Sequence, residues 1–323
     1  MAARSDDSSE RCLLLELSHD ELGVILDGLA DPLEPAVAVA LSSTCFGLRT
    51  PLRLALEVLK MRHERAEALC RKIGSVHTFV PVPSAARSVS GRTLTLTCAI
   101  LREQCLLPLH YEGLTAEHMG TLGLILRTNG LPSLRFLRLN DNGFGDAGLL
   151  ALCEGVGRGA APSLLDLDLG DVNFGPAGAE ALASALSRGA MPRLRELIVS
   201  GNRLGNQGVA ALALSLRRLL VLKDLYLDNC DIGDEGVASL VGELGEGEFK
   251  ALRMLWLNLN RLTDKGCATL VAAIDGGGMP KLGPDPDRLD MHLDECLNVS
   301  ENPASVAASS AVAAALRRRY KHQ

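Results

Sequence analysis

Near the C-terminal end of the sequence, Asp290, His292, Asp294 and Cys296 alternate along the chain, offering the carboxylate, imidazole and thiolate donors from which a transition-metal site is built. Alternation alone supplies no fixed coordination geometry, and Cys296 falls at a structural position of the repeat described below, so no metal site is expected. Two glycine clusters, Gly155-x-Gly157-x-Gly159 and Gly276-Gly-Gly278, invite a phosphate-cradling reading. Neither lies between a strand and a helix in the order such a cradle requires, and both read as loop glycines. The chain has no P-loop, dinucleotide fingerprint, H-E-x-x-H or G-x-S-x-G motif. No cofactor and no catalytic role are expected, and what remains is recognition chemistry.

Composition narrows the class of partner. Across 323 residues, 33 Lys and Arg stand against 39 Asp and Glu, a formal net charge of -6, so no general attraction to nucleic acid or anionic membrane is expected. A basic or neutral partner fits better. The nine Cys are scattered, odd in number and without a C-x-x-C pair, and read as reduced thiols of a cytoplasmic or nuclear protein. Met1 to Glu10 lacks the apolar stretch of a signal peptide, and no segment approaches the ~18 apolar residues of a membrane span. Hydrophobic residues make up 47% and aromatic residues only 3%, which suits a core assembled from many similar small units.

Those units are visible as a repeat. The pattern L-x-x-L-x-L-x-x-N/C-x-L appears at Leu134, Leu137, Leu139, Asn142, Phe144; at Leu164, Leu167, Leu169, Val172, Phe174; and at Leu194, Leu197, Val199, Asn202, Leu204. It continues at Leu222, Leu225, Leu227, Cys230, Ile232 and at Leu252, Leu255, Leu257, Asn260, Leu262. First positions are separated by 30, 30, 28 and 30 residues. A degenerate copy starts at Gln104, with Leu107, Leu109, Glu112 and Leu114. After Leu282 the register is expected to resume only six residues later, at Met291, Leu293 and Cys296, beyond a loop insertion at Gly283-Pro-Asp-Pro-Asp287.

The second half of each unit is equally regular. A Gly stands 14 residues after each clear first position, at 148, 178, 208, 236 and 266, where His118 replaces it in the degenerate copy. Apolar residues follow at 18 and 22, for example Leu152 and Val156 or Leu212 and Leu216, which is one face of a helix. Asp146, Asn206, Asp234 and Asp264 stand two residues before the Gly, where a short polar side chain caps a helix N-terminus. Each unit is therefore strand, turn and helix, with the Asn or Cys bonding the backbone of neighbouring turns.

Over residues 104–323 the sequence resembles the ribonuclease-inhibitor-like leucine-rich-repeat family. The resemblance implies an α/β fold: a right-handed horseshoe solenoid with a parallel sheet on its concave face and helices outside. Members of that family include protein inhibitors, Ran GTPase-activating proteins, innate sensors and ubiquitin-ligase substrate receptors. Residues alternating with the buried leucines then form columns on the concave face. One column is Arg138, Asp168, Ile198, Tyr226, Trp256 and His292, and it holds the single Trp of the chain. Asp224, Asp228, Asp290 and Asp294 surround it, an acidic field around aromatic anchors of the kind that makes a binding hot spot.

Residues 1–12 read as a disordered tail and residues 13–73 as a helical module without the 30-residue period. Leu17, Leu22, Ile25 and Leu29 form one helical stripe, Asp31-Pro32 and Glu34-Pro35 break it, and Ala36 to Leu48 gives a second helix. Thr50-Pro51 starts a third that carries Leu52, Leu56, Leu59, His63, Ala66 and Leu69 on one face. The order Leu17, Glu21-Leu22, Ile25, Leu29, then Leu41-Ser42-x-Thr44-Cys45-x-x-Leu48, resembles an F-box over about 45 residues. Ser18 stands where that pattern has proline, and Phe46-Gly47-Leu48 where it has tryptophan. The resemblance implies that Leu17, Leu22, Ile25, Leu29, Leu41 and Leu48 dock a Skp-type adaptor of a cullin ubiquitin ligase. The alternative is a cover for the end of the solenoid. Residues 74–103 read as a connector, with Arg92 to Thr97 alternating like a first strand, and residues 104–323 as the repeat domain with an Ala-rich C-terminal helix. The cations Arg317 to Lys321 suit that helix's C-terminus, with nuclear targeting as the alternative.

The function expected is protein binding: an F-box-type substrate receptor first, and otherwise a Ran-activator-like regulator of a small GTPase or a non-catalytic scaffold or inhibitor.

Overall fold

A computed structural model describes residues 31–36, 39–40, 53–74, 97–244, 247–285 and 292–320. The six leucine and isoleucine positions of the F-box-like pattern lie outside the described residues, and so does the expected first strand from Arg92 to Leu96. So does Asp290.

Seven short strands line up in sequence order into one parallel sheet: β1 (Leu106–Pro108), β2 (Phe136–Arg138), β3 (Asp166–Asp168), β4 (Glu196–Ile198), β5 (Asp224–Tyr226), β6 (Met254–Trp256) and β7 (Leu297–Asn298). The central leucine of each strand pairs with that of the next, Leu107 with Leu137, then Leu167, Leu197, Leu225, Leu255 and Leu297, and all of them are buried. Before β1 come α1 (Arg53–Gly74) and α2 (Cys98–Glu103). Thr97, the last residue of the expected first strand, is the N-cap of α2. Between the strands run α3 (Ala116–Arg127), α4 (Gly145–Gly155), α5 (Pro176–Ser187), α6 (Gly205–Arg217), α7 (Asp234–Val241) and α8 (Asp264–Asp275), each packed on the next. Two further helices, α9 (Leu293–Cys296) and α10 (Val306–Tyr320), flank β7. One continuous core runs through all the repeats, as a solenoid requires.

The ladder residues behave as their spacing predicts. Asn142, Asn202 and Asn260 are buried, and each amide donates to a carbonyl of the preceding repeat (Leu109, Leu169, Leu227) at 2.7–2.8 Å. Their side-chain oxygens accept from Leu114, Phe174 and Ile232 N–H groups. At the Cys position the thiol of Cys230 donates to Val199 O at 3.3 Å, while Val172 fills the site with an apolar side chain.

Two expectations need correction. The polar residue before the repeat glycine caps the helix of the following unit, not its own. Asp146 Oδ1 accepts from Gly175 and Gly178 N–H at 2.7 and 2.8 Å, at the start of α5. Asn206 does the same for Gly233 and Gly236, Asp234 for Thr263 and Gly266, and Asp264 for Ser305. This forward reach also explains the repeat glycine: a Cβ on Gly178 would lie 2.8 Å from Asp146 Oδ1, and one on Gly266 2.5 Å from Asp234 Oδ1.

The second correction concerns the last repeat. Leu293–Cys296 is a helical turn, and the strand that pairs with β6 is Leu297–Asn298. Counting from 294, Leu297, Val299, Asn302, Val312 and Leu316 occupy the third, fifth, eighth, eighteenth and twenty-second positions, all buried except half-buried Asn302. The ladder residue is therefore Asn302, whose amide donates to Leu257 O at 2.8 Å and whose oxygen accepts from Leu262 N–H. Cys296 instead directs its thiol to His292 O at 3.4 Å.

At the other end α1 buries Leu59, Ala66, Leu69, Cys70 and Ile73 and packs against α3, the first repeat helix. Arg102, which follows in α2, forms ion pairs with Asp31 and Glu34, and His63 Nδ1 lies 2.7 Å from Pro32 O. The described part of residues 13–73 is thus tied to the solenoid entry by packing and by charge.

Candidate protein-binding face

The sheet face turned away from the helices carries two columns fixed by the strand register. The first runs Leu106, Phe136, Asp166, Glu196, Asp224, Met254, and the second runs Pro108, Arg138, Asp168, Ile198, Tyr226, Trp256, Asn298. Five of the six residues expected in the recognition column stand in it. His292 does not: it precedes α9 as an exposed N-cap, paired with Glu295 in a capping box, and Asn298 takes its place beside Trp256. The cause is the longer insertion before the last repeat. The side chain of Asp294 is not described.

Tyr226 and Trp256 meet edge to face, ring centroids 5.1 Å apart and planes at 75°. Edge-to-face packing of this kind is favoured by the aromatic quadrupoles. Both are half-buried, and the Trp256 indole N–H donates to Glu295 O at 2.9 Å, so one edge of the platform is anchored to α9. Trp256 is therefore partly a structural residue as well as a surface one.

Acidic groups lie on both flanks of the platform. On one, Asp168 Oδ1 accepts from Gly170 N–H at 2.9 Å, and Ser200 donates to Asp228 at 2.6 Å. Burial raises the carboxyl pKa of Asp168, opposed by the Gly170 bond and by Arg138, and burial followed by Asp141 and Asp228 raises that of Asp171. On the other flank lies a cleft of about 360 Å³ lined by Asp166, Glu196 and Asp224 among others. Strand alternation predicts an open position for Asp224. It is instead 3% exposed, set into this cleft.

Asp285, in the insertion, belongs to this face although no sequence pattern assigns it there. It is buried, with Lys223 Nζ at 2.8 Å and Arg253 Nε at 3.5 Å. The sequence signal is the Pro-Asp-Pro-Asp run, but nothing in its spacing says which strands it leans on. Among the described residues, no group of three His, Cys, Asp or Glu side chains converges to hold a metal ion, and no helix is long and apolar enough to cross a membrane.

Stacked strand–turn–helix units with a buried asparagine ladder and an open parallel sheet define a leucine-rich-repeat solenoid, a class whose generic work is binding other proteins. A family model described as Leucine Rich repeat matches residues 130–153, 160–183, 191–213 and 220–241, so residues 130–241 carry repeats of this kind, with the strand–helix alternation of the ribonuclease-inhibitor type. No curated protein matches the chain.

Proposed function

We propose that this chain is a non-catalytic receptor that holds a protein partner on the open sheet face and, through its F-box-like segment, presents that partner to a cullin ubiquitin ligase. The observation that carries the first half is the Tyr226–Trp256 pair, half-buried between two acidic flanks. Rigid aromatic anchors ringed by charge are the usual composition of a hot spot, and the sign of the ring favours a partner rich in Lys or Arg. The second half rests on the order of Leu17, Leu22, Ile25, Leu29, Leu41 and Leu48. It is supported by α1, which follows that segment in the sequence and packs against the first repeat helix.

The test is affinity purification of the full chain with mass spectrometry, beside variants Tyr226→Ala and Leu22→Asp. Co-purification of a Skp-type adaptor that Leu22→Asp abolishes, together with other partners that Tyr226→Ala removes, is the expected result. Absence of any adaptor would leave the N-terminal segment as a cover for the solenoid end. Stimulation of a small GTPase by the purified chain would favour a GTPase regulator instead.

A further inference from the structure

We propose that Cys70 and Cys98 form a redox site: a small hydroperoxide oxidises Cys98, Cys70 displaces the oxygen from it, and the resulting disulfide staples α1 to α2 at the entry to the solenoid.

The two sulfurs lie 3.8 Å apart although the residues are 28 positions apart in the chain, and they share one hydrogen bond. Cys70 stands near the end of α1 and Cys98 in α2, and the two helices pack on each other. A disulfide holds its sulfurs at about 2.05 Å, so closure needs less than ~2 Å of travel, which rotations about the two Cα–Cβ bonds supply. Among the described residues, no third His, Cys, Asp or Glu joins the pair as a metal ion would require. His63, on the same helix as Cys70, is taken up by Pro32 O and Glu67. Two thiols at this spacing without a third ligand are placed to bond to each other.

Exposure and hydrogen bonding divide the roles. Cys98 is 9% exposed and Cys70 2%, so Cys98 is the sulfur that a small oxidant reaches. The hydrogen bond from Cys70 lowers the Cys98 thiol to about 7, with burial and Glu67 opposing and His63 assisting. The same bond, then burial, raises Cys70. Cys98 therefore carries the thiolate, the form that attacks a peroxide, while Cys70 keeps its proton. By contrast Cys153 and Cys230, in the cores of the repeats, are pushed up to about 12, chiefly by burial.

In the first step the Cys98 thiolate attacks a peroxide oxygen; the O–O bond breaks, an alkoxide or hydroxide leaves with the electron pair and takes a proton from water, and Cys98 becomes a sulfenic acid. In the second, Cys70 Sγ attacks Cys98 Sγ; the S–O bond breaks and the oxygen leaves as water, carrying the Cys70 proton. The two sulfurs together give up two electrons, and the peroxide takes them.

In the reduced protein α1 is held at the entry by packing and by exposed charge, such as Arg65 and Glu117 of α3 at 3.9 Å. Exposed pairs of this kind contribute little. The disulfide adds a covalent tie that restricts the unfolded chain between its ends. Oxidation thereby stiffens the join between the N-terminal helices and the repeats.

The experiment exposes the full reduced chain to a few equivalents of hydrogen peroxide, maps its thiols by peptide mass spectrometry and measures hydrogen exchange in α1 before and after. A linked Cys70–Cys98 peptide that dithiothreitol reverses is expected, with exchange in α1 slowed at least tenfold. Cys70→Ser is expected to trap a sulfenic acid on Cys98 that dimedone labels, whereas Cys98→Ser leaves Cys70 unlabelled. Cys70 and Cys98 remaining reduced while the exposed Cys105 is oxidised, or each joining some other cysteine, overturns the site. A Cys70–Cys98 bond that leaves exchange in α1 unchanged overturns the staple, and dimedone labelling of Cys70 in Cys98→Ser overturns the order of the two steps. If the serine variants do not fold, the linked peptide and the exchange of the unsubstituted chain still decide. None of these readouts involves the sheet face, so they stand or fall apart from the proposed function.

Discussion

Replacing Asn202 by Leu tests the solenoid at its most constrained polar side chain. Asn202 is 1% exposed, donates to Leu169 O, Val199 O and Ser200 O at 2.7, 2.8 and 3.2 Å, and accepts from Phe174 N–H at 3.1 Å. Not every bond lost leaves an orphan. Val199 O keeps the Cys230 thiol and Ser200 O keeps Asp171 N–H, so only Leu169 O and Phe174 N–H are stranded. At about 1–3 kcal/mol for each stranded buried group, the Leu variant should be destabilised by about 3 kcal/mol. Asn202→Cys is the informative companion, because Cys230 shows that a thiol here can donate to the carbonyl of the preceding repeat. It should recover roughly half of the loss, leaving Phe174 N–H alone unmet. Urea melts followed by circular dichroism, compared at constant m-value, measure both. A Leu variant within about 0.5 kcal/mol of the parent, or a Cys variant no better than Leu, would refute the reasoning.

Asp146→Ala removes both acceptor contacts at the start of α5 and should cost about 1–2 kcal/mol, whereas Gly178→Ala should destabilise by forcing a Cβ against the same carboxylate; thermal melts report both. Trp256→Phe keeps the ring and loses the bond to Glu295 O, so it should lower stability by about 1 kcal/mol while partner binding survives, and Trp256→Ala should weaken partner binding by about 2 kcal/mol per folded molecule. The Asp166 carboxyl is raised above its ordinary 3.8 by burial, so its charged form destabilises the fold; that penalty is fully present above the folded-state pKa and fades as pH falls toward 3.8. Asp166→Asn should accordingly melt higher than the parent at pH 7, with the gap closing by about pH 4, and a gap that widens on acidification would contradict the burial account.

Much of this is legible in the sequence because a period of 30 residues fixes both halves of each unit. Leu137, Leu167 and Leu197 fall into register on spacing alone, and so does the Tyr226–Trp256 contact. The last repeat is misplaced by spacing because Met291, Leu293 and Cys296 mimic the motif by chance. The decisive signal, Val312 and Leu316 at their helical offsets from 294, lies after the insertion rather than in it. Asp224 escapes for a different reason. Alternation says which sheet face a residue is on, whereas Asp224 is set into a cleft that Asp285, 61 residues later in the chain, also lines. The forward caps are invisible for a similar reason: a residue two before a glycine reads the same whether it serves its own helix or the next.

Those forward caps make the solenoid polar in the way a one-way valve is polar. Each of Asp146, Asn206, Asp234 and Asp264 completes the beginning of the unit that follows, and the series is interrupted at Pro176, whose ring offers no acceptor. Trimming the array from its C-terminal side frees a carboxylate, or the Asn206 carboxamide, into water, where it is well solvated and harmless. Trimming it from the N-terminal side strips the next helix of the acceptor that the preceding unit supplies, and among the helices so capped only α8 and α10 keep a hydroxyl acceptor of their own, Thr263 and Ser305. Fragments that begin at a given repeat should therefore fray, while fragments that end there hold, and the boundary before α6, which never had such a cap, is the natural place to cut.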